Sequence, residues 1–157
     1  MILSAAEFNT MGFRTSTEDA EHIERAIKDT ELFFLKTVIG DEAYSLMLTA
    51  EEGTDYYIAV NGSATMAGAK DAVGHFAFAV LLLENLNATR TGTVKKRDDY
   101  STPAYEDDIY KLQRYHYTVG KRYLDEVCKF LNIRPDYNSA NYLYEYTTTA
   151  TSWNGLL

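Results

Sequence analysis

The run Phe76-Ala77-Phe78-Ala79-Val80-Leu81-Leu82-Leu83 limits what this chain can fold into more than any other feature. Eight consecutive apolar residues leave no polar face, so the segment has to be buried on every side. It is far shorter than the ~20 residues needed to cross a bilayer. Its flanks extend the pattern, and Thr65 to Asn87 reads as one long central helix inside a protein core. Gly68 and Gly74 within it would let neighbouring backbone approach closely, at some cost in helix propensity.

A helix buried all round needs amphipathic neighbours, and the remaining sequence supplies them. Ser4 followed by Glu7 is a capping-box pattern, predicting a short helix from Ser4 to Met11 that Gly12 ends. After Ser16-Thr17, the acidic pair Glu18 and Asp19 complements the positive end of a second helix. Its residues Ile23, Ala26, Ile27, Phe33, Phe34 and Val38 follow the three-four spacing of one buried stripe, and Gly40 terminates it. Glu42 to Ala50 reads as a shorter helix with Ala43, Tyr44, Met47 and Leu48 inward. The last helix has Thr102 as N-cap, Pro103 in the first position and acidic residues in the first turns. Ile109, Leu112, His116, Val119, Tyr123, Val127 and Phe130 or Leu131 trace its inner face, and Asn132 and Pro135 close it.

Two segments read differently. Tyr56 to Val60 is strand-like and runs into the turn signal Asn61-Gly62; Thr91 to Lys96 alternates in the same manner. Residues 56–60 and 91–96 are therefore expected to pair as a small β-ribbon, which needs outside support because an isolated two-stranded ribbon is marginal. After Pro135, Tyr142, Tyr144 and Tyr146 alternate with Leu143 and Glu145 at a strand period. The expected fold class is mainly α: a helical bundle with a small β-ribbon over residues 1–135, and an extended tyrosine-rich C-terminal arm over 136–157.

Length and charge narrow the function classes. A chain of 157 residues fits one domain. The net charge of −8, from 23 acidic and 15 basic side chains, argues against free-standing nucleic-acid binding, which draws its affinity from a basic surplus. Thirteen tyrosines against one tryptophan point to surfaces that become buried on association. The single cysteine, Cys128, excludes a disulfide within the chain and fits a reducing cytoplasm. Met1 to Glu7 has no basic region of the kind that opens a secretion signal. No membrane association is expected.

No catalytic constellation emerges. His22, His75 and His116 fall on three predicted helices without a second ligand at metal spacing, and His75 reads as a hydrogen-bonded core residue. Cys128 lies mid-helix beside Asp125 and Glu126, the reverse of the electropositive setting a reactive thiolate needs. Asp98-Asp99 follows Lys95-Lys96-Arg97 and neutralises it, while Asp107-Asp108 answers the helix dipole. Neither pair requires Mg²⁺ or acid–base work to explain it. No phosphate-binding loop or nucleophile elbow is present. The expectation is a non-enzymatic chain with no catalytic residue, no cofactor and no metal.

The order of segments resembles a known family. An acid-rich helix leads to Val38-Ile39-Gly40, a strand and a glycine-containing apolar helix. Thr91-Gly92-Thr93-Val94-Lys95-Lys96 follows, then Tyr100-Ser101-Thr102-Pro103 and a long tyrosine-bearing helix through Tyr123-Leu124 to Phe130-Leu131. From Ile2 to Leu131 this is similar to the head–tail connector (adaptor or ring) proteins of tailed bacteriophages, above all those of crAss-like phages and related phages of Bacteroidetes. The tyrosine-rich segment after Pro135 is not part of that pattern.

The resemblance implies a structural virion protein that forms a ring, usually twelvefold, between the portal of the head and the tail. Its partners would be further copies of itself, the portal protein and other ring or tail proteins. DNA would pass the channel without sequence-specific binding. Tyr137, Tyr142, Tyr144, Tyr146 and Trp153 are the candidate interface residues, and Lys95, Lys96 and Arg97 form a candidate loop contact. The competing expectation is a small helical scaffold or regulatory module that binds one protein partner through its aromatic arm.

Overall fold

The computed structural model describes residues 1–13, 20–90 and 106–138, and the side chains of these except 83–90 and 106–108. It is mainly helical, and among the described residues it has no strand. Helix α1 spans Ala5–Thr10, α2 Ala20–Thr30, α3 Lys36–Ile39, α4 Asp41–Leu48, α5 Asp55–Asn61, α6 Ala69–Arg90 and α7 Glu106–Phe130. A π-helical turn, Glu31–Leu35, joins α2 to α3. The predicted segment 91–96 and the arm beyond Asn138 lie outside the described residues.

The central helix is where the apolar run placed it. Ala69, Ala72, Val73, Phe76, Ala77, Phe78, Ala79 and Leu81 of α6 are all buried, with α2 on one side and α7 along its length on another. The helix begins at Ala69 and not at Thr65. Ser63 and Met66 exchange backbone hydrogen bonds in a turn, and the Gly68 N–H donates to the Asp71 carboxylate at 3.0 Å. Gly68 is held to glycine because the backbone of Val60, Asn61 and Gly62 fills the space a Cβ would take. At Gly74 the close neighbours are the Met11 and Phe13 side chains, not backbone. Gly120 lets α7 close on the Phe76 ring and the Ala72 carbonyl.

The expected strand at 56–60 is helix α5. Thr54 caps it by accepting from the Tyr57 N–H at 3.2 Å, Asp55 sits in its first turn, and Gly62 ends it at φ +80°. Ala59 and Val60 are buried. These caps and one helical face outweigh the local strand preference of Tyr56-Tyr57-Ile58.

The second rod departs from a simple α stripe at the π turn. A π turn holds one residue more than an α turn, so the buried stripe arrives one position late. Ile23, Ala26, Ile27 and Thr30 are buried in α2, then Glu31, Phe34, Leu35, Val38 and Ile39. Phe33, expected inside, is therefore turned outward and is 56% exposed. Leu48 of α4 is also exposed, Ala43, Tyr44 and Met47 forming the inner side. In α7 the stripe is Gln113, His116, Gly120, Leu124 and Val127. Leu112 lies about 100° around the helix from Gln113 and is 41% exposed.

Glu31 holds this arrangement in place. One carboxyl oxygen accepts from the backbone N–H groups of Ile2 and Leu3 at 2.8 and 2.9 Å. The other accepts from the Tyr44 hydroxyl at 2.9 Å. Burial, with the hydrogen bond and charge of Glu31 behind it, pushes the Tyr44 hydroxyl up to about 12. Ile2 and Leu3 are thereby drawn into the core, and α4 folds back at Gly40 (φ +87°) beside the π turn. The capping box is complete, with Glu7 and Ser4 bonded in both directions. The Lys70 ammonium lies 2.6 Å from Glu7 and ties α1 to α6. That bond above all, then those from Ser4, lowers the Glu7 carboxyl to about 2.

Replacing Glu31 by alanine strips the buried Ile2 and Leu3 N–H groups and the Tyr44 hydroxyl of their acceptor. The expected cost is about 3 kcal/mol in urea unfolding. Glu31→Gln, which keeps acceptor oxygen in place, is expected to cost less.

Candidate functional site

Helices α6 and α7 bring together two of the three histidines. His75 and His116 meet Nδ1 to Nδ1 at 2.9 Å, a distance at which one nitrogen must donate and the other accept. Phe13, arriving from the N-terminal segment, closes over the pair. Its ring stacks on Phe78 at 4.9 Å and meets the two imidazoles edge-on at 5.2 and 5.6 Å. Tyr123 packs against His75 and Tyr115 against His116. A cleft of about 500 Å³ opens beside the pair, bounded by Phe13, Tyr115, Tyr123, Met11 and Asp71.

The environment disfavours charge on either ring. Burial lowers His116 to about 4, with the neighbouring His75 adding to the shift. Burial lowers His75 as well, opposed by the charge of Asp71. A doubly protonated pair would direct two N–H groups at each other, so the pair holds at most one proton between its Nδ1 atoms. Among the described residues no group of three His, Cys, Asp or Glu side chains is placed to hold a metal ion. The pair is a polar cross-link that joins α6, α7 and the N-terminal segment.

The sequence separated these two histidines by helix and did not pair them. The readable signal was that His75 lies on the central helix and His116 on the inner stripe of α7. What was missing was the register that Gly120 sets between the two helices. One helical turn before His116, Gln113 is fully buried and neither of its amide atoms is hydrogen-bonded. Cys128 is buried, and burial with the Asp125 charge pushes its thiol up to about 11, away from nucleophile chemistry. His22 lies elsewhere, in a groove with Met1, Glu21, Glu24, Arg25 and Lys28.

Of the residues expected at an interface, Tyr137 is described, and it is engaged within its own chain. Its hydroxyl donates to Asp125 at 2.6 Å, the Lys121 ammonium lies 4.5 Å from its ring centre, and its ring lies 6.4 Å from Phe34. Burial and the bond to Asp125 raise its hydroxyl well above the ordinary tyrosine value. The Asp136 N–H donates to the Val38 carbonyl at 3.0 Å. The chain therefore leaves its last described residues alongside the α2–α3 rod. Tyr142, Tyr144, Tyr146 and Trp153 lie outside the described residues, as do Lys95, Lys96, Arg97 and the Asp98-Asp99 pair. Asp107 and Asp108 open α7.

Several large apolar side chains lie open to solvent, among them Phe33, Leu48, Leu112 and Phe130, which the sequence reading placed on inner faces. Leu32 and Phe33 project from the π turn and Leu46 and Leu48 from α4, the two limbs of the hairpin folded at Gly40. Leu112, Tyr115 and Phe130 are exposed along α7.

A model for a family of unknown function, DUF6712, matches residues 23–150. The matched stretch runs from α2 through α7 and into the aromatic arm. No curated protein and no solved structure matches the chain.

Stability should fall as pH drops from about 6.5 to about 4. The unfolded histidines take up protons across this range, whereas the folded pair resists them, so the stabilisation present above 6.5 is lost on acidification. The expected loss from the pair is about 2 kcal/mol. His116→Phe should flatten this part of the pH–stability curve measured by chemical denaturation, relative to the unaltered chain.

Proposed function

The chain belongs to the DUF6712 family, whose function is unknown, and we propose that it is a structural subunit of a phage virion. It forms a ring with copies of itself between the portal and the tail, and it carries no catalytic activity. The observation that carries this reading is the outward set of large apolar residues on the α2–α4 hairpin and along α7. An assembled subunit buries residues such as Leu32, Leu46, Leu48 and Leu112 against its neighbours.

Three further features support it. The segment order from Ile2 to Leu131 resembles the head–tail connectors, with helix α5 standing where that order had a strand. The His75–His116 pair is packed as a cross-link among aromatic rings and has no group of metal ligands around it among the described residues. The net charge of −8 per copy suits a channel through which DNA slides without sticking. No helix among the described residues is long and apolar enough to cross a membrane.

The test is co-assembly. The purified chain, mixed with a portal protein from the same virion, should co-elute in a complex larger than the portal alone, visible as an added ring in negative-stain images. A chain that stays monomeric and never binds the portal would overturn the reading. Binding to a single regulatory partner in place of the portal would favour the scaffold alternative.

A further inference from the structure

We propose that the cleft beside the His75–His116 pair binds a planar organic cation of the guanidinium or amidinium type, with the Asp71 carboxylate as its counter-charge. The site is assigned on its own chemistry and does not depend on the ring-subunit reading.

Three parts of the chain build the cleft, and each contributes a ring. Phe13 comes from the N-terminal segment, His75 from α6, and Tyr115, His116 and Tyr123 from α7. These rings are packed against one another. Phe13 meets both imidazoles edge-on, Tyr123 lies 5.5 Å from His75, and Tyr115 lies 5.2 Å from His116. The volume of about 500 Å³ falls in the range of small-ligand sites, roughly 300–1,000 Å³. Tyr115 lines the cleft and is 59% exposed, so one wall faces solvent.

Charge decides what such a cleft accepts. Asp71 lies one helical turn before His75, close enough for its charge to act on that ring. Its Oδ2 accepts from the Gly68 N–H at 3.0 Å. An ionised carboxylate has about four acceptor positions, and no Lys or Arg among the described residues is paired with Asp71. Lys70, its neighbour in sequence, is bound instead to Glu7 at 2.6 Å. Burial holds both imidazoles below their ordinary value, so at neutral pH the pair adds no positive charge to repel a cation. The cleft thus offers a negative charge framed by aromatic rings, a combination that joins ion pairing to cation–π attraction. A flat guanidinium suits it better than a compact ammonium, because it stacks on rings while its N–H groups fork onto a carboxylate. An arginine side chain of a partner protein and a free guanidino compound share this chemistry.

The experiment titrates the full-length chain at neutral pH and reads the histidine ring resonances by NMR. His22, in a separate groove, is the internal control. Benzamidinium is the probe, and benzamide is its neutral counterpart of similar shape. Benzamidinium should move the His75 and His116 signals saturably and leave His22 in place, while benzamide should bind at least about ten-fold more weakly. Asp71→Asn keeps an acceptor for the Gly68 N–H and should weaken benzamidinium about ten-fold, with unchanged helicity by circular dichroism. Tyr115→Ala, at an exposed position, should weaken it several-fold. Tighter binding of a blocked arginine tripeptide than of benzamidinium would identify a partner's side chain as the occupant, and weaker binding a free compound. Benzamide that binds as well as benzamidinium would overturn the cation site. So would a folded Asp71→Asn chain of unchanged affinity, or the absence of a saturable shift with every probe. None of these results bears on ring formation.

Discussion

The carboxyl group of Glu31 decides how the N-terminal half of the molecule is arranged. An acidic side chain in a core is tolerated only where donors surround it, and here the chain brings two backbone N–H groups and a tyrosine hydroxyl to it. Holding Glu31 inward goes with a π turn in place of an α turn, and the extra residue rotates everything that follows. Leu35 then enters the core and Phe33 leaves it.

The other half of the molecule depends on how closely α7 lies against α6. Gly120 allows the approach, and His116 then reaches His75 at hydrogen-bond distance. Phe13 covers the pair, so the N-terminal segment is fastened at three points: through Ile2 and Leu3 at Glu31, through Glu7 at Lys70, and through Phe13 at the histidines.

Much of the fold was legible in the sequence where the physics is local. The all-apolar run identified α6, Ser4 and Glu7 identified the capping box, and Gly40 marked the end of the second rod. The errors came where tertiary context outweighs local pattern. Tyr56 to Val60 has strand propensity, but Thr54, Asp55 and Gly62 cap it as a helix. Phe33 fits an α stripe and is displaced by a π turn that no spacing rule announces. Leu112 looked like an inner residue until Gly120 and His116 set the rotation of α7, which buries Gln113 instead. The histidine pair was invisible for the same reason, since its partners lie far apart in sequence and meet only through that register. Tyr137 was expected at an interface between chains, and its described contacts are with its own chain.

Native mass spectrometry of the full-length chain tests the central claim, that this is a ring-forming subunit, most directly. The account predicts one dominant closed oligomer with a fixed copy number, about twelve by the connector resemblance, that persists across protein concentrations. A monomer at all concentrations would contradict it. So would an open ladder of sizes that lengthens with concentration.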